Sequence, residues 1–170
     1  MNTGQMLITI AAMALLSSVI LNVNKRNLIT SKEMSETKYK IMAVSYANTI
    51  IEEAFSKSFD EATTDSKTIT DKTQLSAVLQ SEPGENKRSK FDDFDDYNNY
   101  KDSTNSDPTY NSTPMKITSK VHYVDPTVSL DSVGYKTWNK RITVTVTSPY
   151  INEGKDKITL SKINSHFYFR

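Results

Sequence analysis

Cysteine is absent from the chain, which excludes disulfide staples, thiolate metal sites, thiol catalysis and Cys-x-x-Cys-His haem attachment. Histidine is almost absent. His122 and His166 are the only two, too few for a multi-histidine metal centre. Between Gly4 and Pro83 there is no glycine or proline at all, so nothing in that stretch breaks a helix. Charge is missing from the first 24 residues, where Lys25 and Arg26 are the first ionised side chains. Over all 170 residues the balance is 21 Lys+Arg against 20 Asp+Glu, a net +1 that gives no global attraction to nucleic acid or acidic membranes. The length is that of one domain.

What is present divides at the first proline. Residues 6–23 read MLITIAAMALLSSVILNV, with Thr9, Ser17, Ser18 and Asn22 as the only polar side chains. As a helix they span ~27 Å, close to the ~30 Å of bilayer hydrocarbon. No basic n-region or small-residue cleavage site marks a secretory signal peptide, so the run is expected to be a membrane segment. From Lys25 to about Phe59 the polar residues are good helix formers. Leu28, Tyr39, Met42, Tyr46, Ile50 and Ala54 recur at threes, fours and sevens as one apolar stripe. One helix is therefore expected from near residue 5 to near residue 58, apolar all round at first and amphipathic afterwards.

Beyond it the period changes to two. Residues 115–124 put Met115, Ile117, Val121 and Tyr123 on one face, and residues 138–148 put Trp138, Ile142, Val144 and Val146 on one face. Residues 157–169 form a third run whose parity changes between Leu160 and Ile163, which predicts a bulge. One polar face per strand predicts an antiparallel sheet covered on one side by the striped half-helix. Asn152–Lys155 marks the turn between the last two strands. The expected fold class is α+β, a long N-terminal α-helix packed on a small antiparallel β-sheet. Its parts are an apolar helix half (1–27) and a globular remainder (28–170). That remainder comprises a helix half (28–59), a polar connecting loop (60–114) with a short helix at 72–80, and the sheet (115–170).

The loop carries FDDFDDYNNY. Phe91, Phe94, Tyr97 and Tyr100 are spaced by three, as if one edge of a tight turn docks on the core. Asp92, Asp93, Asp95 and Asp96 would then project outward as a solvated acidic edge. The alternative is Ca²⁺ ligation by these four, although the EF-hand spacing and its glycine are missing. No metal or cofactor is expected, and no pocket pattern supports the four as paired hydrolytic carboxylates. His122 falls on a polar strand face and reads as solvated; His166, among aromatics, reads as a packing residue. Asn111-Ser112-Thr113 matches a glycosylation sequon. Residues 115–170 hold nine basic and four acidic side chains. Without interleaved aromatics that excess reads as sheet surface, so no nucleic-acid partner is expected.

The N-terminal run, MNTGQMLITIAAMALLSSVILNV, resembles the mature N-terminus of the type IV pilin and pseudopilin family, to which it aligns without gaps. Met6, Leu7, Ile8, Ile10 and Ala11 match the family's apolar consensus. Gln5 stands where glutamate is usual, and Asn22 where a helix-loosening proline is common. The later QLSAVLQSEPGE, FDDFDDYNNY and KRITVTVTSP runs are similar to those of some pseudopilin-like proteins. Family precursors carry a basic leader ending in glycine, and none precedes Met1. Either the numbering begins at the mature N-terminus, which is the expectation, or the cut falls after Gly4 and leaves a very short, uncharged leader.

The resemblance implies a non-enzymatic structural subunit of an extracellular type IV pilus-like filament on the bacterial surface, with an inner-membrane pool before assembly. The partners it implies are further copies of the chain in a helical homopolymer, the inner membrane, the pilus assembly machinery and a prepilin peptidase. The assembly residues it implies are Met1, Gln5, Met6, Leu7, Ile8, Ile10, Ala11, Ala14, Leu15, Val19 and Asn22. The alternatives are a pseudopilin of a type II secretion-like system and a singly membrane-anchored binding module. Gln5 cannot form the ion pair that the family's glutamate makes with a neighbouring N-terminal amine, but its amide oxygen can accept a hydrogen bond from it.

Overall fold

The computed structural model describes residues 2–104 and 114–166, the side chains of residues 65 and 66 excepted. Met1, the Asn111 sequon and residues 167–169 of the last predicted strand lie outside the described residues. Contacts divide the chain into two compact units, residues 1–38 and residues 39–170.

Helix α1 runs Thr3–Phe55, as the absence of helix breakers predicts. In the first unit every described residue up to Ser35 is exposed, Leu28 included. In the second unit the helix turns one face inward and buries Ala43, Ala47, Ile50, Ile51 and Ala54. The three alanines allow close approach, and the two isoleucines each contribute ~1.5–3 kcal/mol of burial.

The sheet is antiparallel throughout. It comprises β1 (Lys101–Ser103), β2 (Lys116–Asp125), β3 (Ser129–Ser132), β4 (Asn139–Thr147) and β5 (Lys157–Ser165). The order is β1-β2-β4-β5, with β3 also paired to β2. The alternation expected of β2 and β4 holds. Ile117, Val121 and Tyr123 are buried on β2, as are Ile142, Val144 and Val146 on β4. These strands, the inner face of α1 and the aromatics Phe91, Phe94 and Tyr97 form one core, so the α+β expectation is met. The β4–β5 connection turns at Asn152–Gly154, as expected, with Gly154 at φ +80°.

Two local expectations fail. No helix forms over 72–80. A single 3-10 turn, Lys72–Gln74, is closed by Asp71, whose carboxylate accepts the Thr73 N–H at 2.7 Å. The Ser76 N–H, which a helix would direct to a preceding carbonyl, is instead donated to Asp60. Nor does β5 carry a bulge: its register with β4 is unbroken from Asn139↔Ser165 to Thr147↔Lys157. The apparent parity change arises because Lys162 and Asn164 share parity with Ile158 and Leu160. Lys162 lies over the Phe55 ring at 4.3 Å and reaches Glu52 at 2.8 Å, while Asn164 is buried.

Candidate functional site

Two features carry chemistry. The first is the apolar half of α1. An eighteen-residue window here has a mean hydropathy of 2.2, and none of it is buried within the chain. Met6, Leu7, Ile8, Ile10, Leu15 and Val19 are each more than half exposed. Gln5, Ala11, Ala14 and Asn22 lie on the same exposed helical stretch. Such a helix is long and apolar enough to cross a membrane.

The second is the acidic loop, where the outward-facing expectation is overturned. Phe91, Phe94 and Tyr97 dock into the core as the spacing predicts, but only Asp92 of the four aspartates is exposed. Asp93, Asp95 and Asp96 are 0, 1 and 2% exposed. A short turn, Asp95–Tyr97, rolls their side chains inward. Within it Asp93 Oδ1 accepts the Asp95 N–H at 2.7 Å, and Asp96 Oδ2 accepts those of Asp92 and Asp93 at 2.9 and 3.2 Å. Aspartate serves here as a local backbone acceptor, as it does in Asx turns.

The counter-charge comes from a residue the sequence reading passed over. Lys140 on β4 is completely buried, and its ammonium donates to Asp60 Oδ2 at 2.6 Å, Asp95 Oδ1 at 2.6 Å and the Phe59 carbonyl at 2.9 Å. All three of its protons are thereby used. The rings of Phe59 and Tyr123 lie 4.7 and 5.3 Å from the same nitrogen. Lys140 has the inward parity of Trp138 and Ile142, which was the available signal. Asp60 is further held by the Ala62 N–H and the Ser76 N–H and hydroxyl.

The two aspartates therefore behave differently. Burial opposes ionisation of Asp60, but Lys140 and the other donors prevail and hold its carboxyl below the usual range. Burial pushes Asp95 up to about 7 in spite of Lys140. Asp93 is pushed up to about 8 by burial and by the charges of Asp95 and Asp96. Burial likewise takes Asp96 to about 6. It takes Glu82 to about 8, with the neighbouring carboxylates of Glu85 and Asp93 adding to it.

A carboxyl whose folded pKa is raised binds more protons folded than unfolded, so its contribution to stability falls as pH rises through the shifted value. With a chelator present, the melting temperature is expected to be higher at about pH 5.5 than at about pH 8.5. A melting temperature that climbs over that interval contradicts the buried cluster. Below about pH 4 the trend reverses, because Asp60 and Glu53, whose pKa values are lowered, then lose their ion pairs.

His122 is less solvated than expected. It is half-buried on β2 and accepts the Arg141 Nε–H at 3.0 Å; burial and then that charge lower its pKa. His166 packs as expected, stacked on Trp138 with centroids 5.2 Å apart. Glu53 accepts hydrogen bonds from Arg88 and from the Tyr97 hydroxyl (2.9 Å), tying the loop to α1. No known family model, curated protein or solved structure matches the chain.

Proposed function

We propose that this protein is a structural subunit of a type IV pilus-like filament. In this reading the apolar half of α1 sits in the inner membrane before assembly. Afterwards it is packed among copies of itself, with the sheets forming the outer wall. The observation that carries the reading is the continuity of α1. A membrane-length apolar helix with no buried residue runs without a break into the helix that covers the sheet. A simple anchor needs no such unbroken helix, whereas a helical polymer of this kind uses one. The same apolar surface then serves both states, exchanging lipid for protein contacts. Pilus assembly machinery and a prepilin peptidase are the partners this reading brings with it.

Electron microscopy of material sheared from producing cells tests the proposal. Filaments containing this chain support it. A chain that stays in the membrane fraction, with loss of secretion when it is deleted, selects the pseudopilin reading instead.

Gln5 gives a finer test. If its amide accepts a hydrogen bond from a neighbour's N-terminal amine, Gln5→Leu removes one charge-assisted bond, worth about 1.5–3 kcal/mol. Filament yield is then expected to fall while membrane insertion is unchanged. An unaltered yield across protein concentrations removes Gln5 from the assembly mechanism.

A further inference from the structure

The buried acids outnumber their counter-charge. Lys140 pairs with both Asp60 and Asp95, but among the described residues no cation pairs with Glu82, Glu85, Asp93 or Asp96. Three of these converge. Glu82-Pro83-Gly84-Glu85 is a tight turn closed by the Glu85 N–H on the Glu82 carbonyl at 3.1 Å, with Gly84 at φ +115°. That conformation suits Pro-Gly at its two central positions and sets both glutamates on one side. Facing them is Asp96, and one carboxylate oxygen from each of the three lies within 4.8 Å of the others.

Asp96 is only 2% exposed. Its Oδ2 is taken by backbone amides, but its Oδ1 has no hydrogen-bond partner. Glu82 Oε2 is buried and unpartnered in the same way. A buried carboxylate oxygen left without a donor is expensive, and like charges this close repel. Both costs vanish if a cation sits between them. Each pair of these oxygens lies within 4.8 Å, no farther apart than two ligands on opposite sides of one Ca²⁺ with bonds of ~2.4 Å, so no pair is too distant to share an ion. Glu82 and Glu85 are half-exposed, which leaves room for water to complete six to eight ligands.

We propose that Glu82, Glu85 and Asp96 form a Ca²⁺ site that fixes the acidic loop against the core. This is not the four-aspartate set suggested by the linear run. Asp95 is committed to Lys140 and Asp92 faces outward. The site is independent of the filament reading, and the failure of either leaves the other standing.

The test uses the full chain in detergent micelles, stripped with a chelator and titrated with Ca²⁺ alone. One Ca²⁺ per chain is expected to bind saturably. At a hundredfold excess over Kd the melting temperature should rise by about 5–10 °C. Glu82→Gln with Glu85→Gln should abolish the response while raising the melting temperature of the stripped protein, because repulsion is relieved. Asp92→Asn should leave the response intact. Absence of saturable binding to the wild-type chain at millimolar Ca²⁺ overturns the proposal. So does an undiminished response in the double variant or in Glu85→Gln alone.

Discussion

Lys140→Ala is expected to destabilise the folded domain by about 3–5 kcal/mol, the cost of removing one partner from a buried ion pair. The lysine is fully buried and holds two aspartates at 2.6 Å each. Its loss strands both in a region of low polarizability, where their mutual repulsion is unscreened. The Asp60 anion retains its backbone and hydroxyl donors, so the larger penalty falls on Asp95, which must take up a proton. Asp95→Asn is expected to cost less, since that carboxyl, at about 7, is already partly protonated at neutral pH and the amide oxygen can still accept from Lys140. The Lys140 ammonium also lies against the rings of Phe59 and Tyr123 and the whole side chain is buried, so a cavity term adds to the alanine variant. Urea unfolding should show a lower midpoint at an unchanged slope. A Lys140→Ala midpoint within about 0.5 kcal/mol of wild type, the scale of ordinary surface changes, contradicts the ion-triad account.

The triad also shows where sequence reading fails. The helix, β2 and β4 were legible because their signals are periodic. Apolar residues recur at threes and fours along α1, and inward and outward residues alternate on the strands. The aromatic spacing of the acidic loop likewise foretold the docking of Phe91, Phe94 and Tyr97. Residue type misled wherever a charge occupies an inward position. Lys140 follows the parity of its strand, yet a lysine is presumed to be exposed unless a partner is in view, and its partners are far away in sequence. Asp93, Asp95 and Asp96 read as solvated for the same reason, yet Asp93 and Asp96 accept backbone N–H groups of their own turn and Asp95 meets Lys140. On β5, Lys162 and Asn164 imitate a bulge because they are polar at positions of core parity. Strands β1 and β3, with three and four residues, are too short to display a period at all. The meeting of Glu82 and Glu85 with Asp96 depends on a turn and a tertiary contact. Only the Pro83-Gly84 turn half of it can be read from the chain.

The other large effect is expected at Ala14, in the middle of the apolar run. Ala14→Lys places a charge where a bilayer centre charges about 2.5–3.5 kcal/mol, a cost that insertion can survive by snorkelling and local water entry. A packed core of helices offers no such escape. The ammonium would be buried without a partner, and the penalty recurs in every subunit along the polymer. The protein should therefore reach the membrane but not the filament. A chain beginning at Leu28 keeps the half of α1 that buries Ala43, Ala47, Ile50, Ile51 and Ala54. It is expected to fold as a soluble monomer.

The claim that the apolar half of α1 is a protein–protein surface after assembly is tested most directly by quantifying this chain in sheared and membrane fractions. The cells compared produce the wild type, Ala14→Lys or the chain beginning at Leu28, and the sheared fractions are imaged by electron microscopy. The account predicts filaments from the wild type alone, with Ala14→Lys retained in the membrane and the shortened chain soluble. Filaments of normal length from either variant would contradict it.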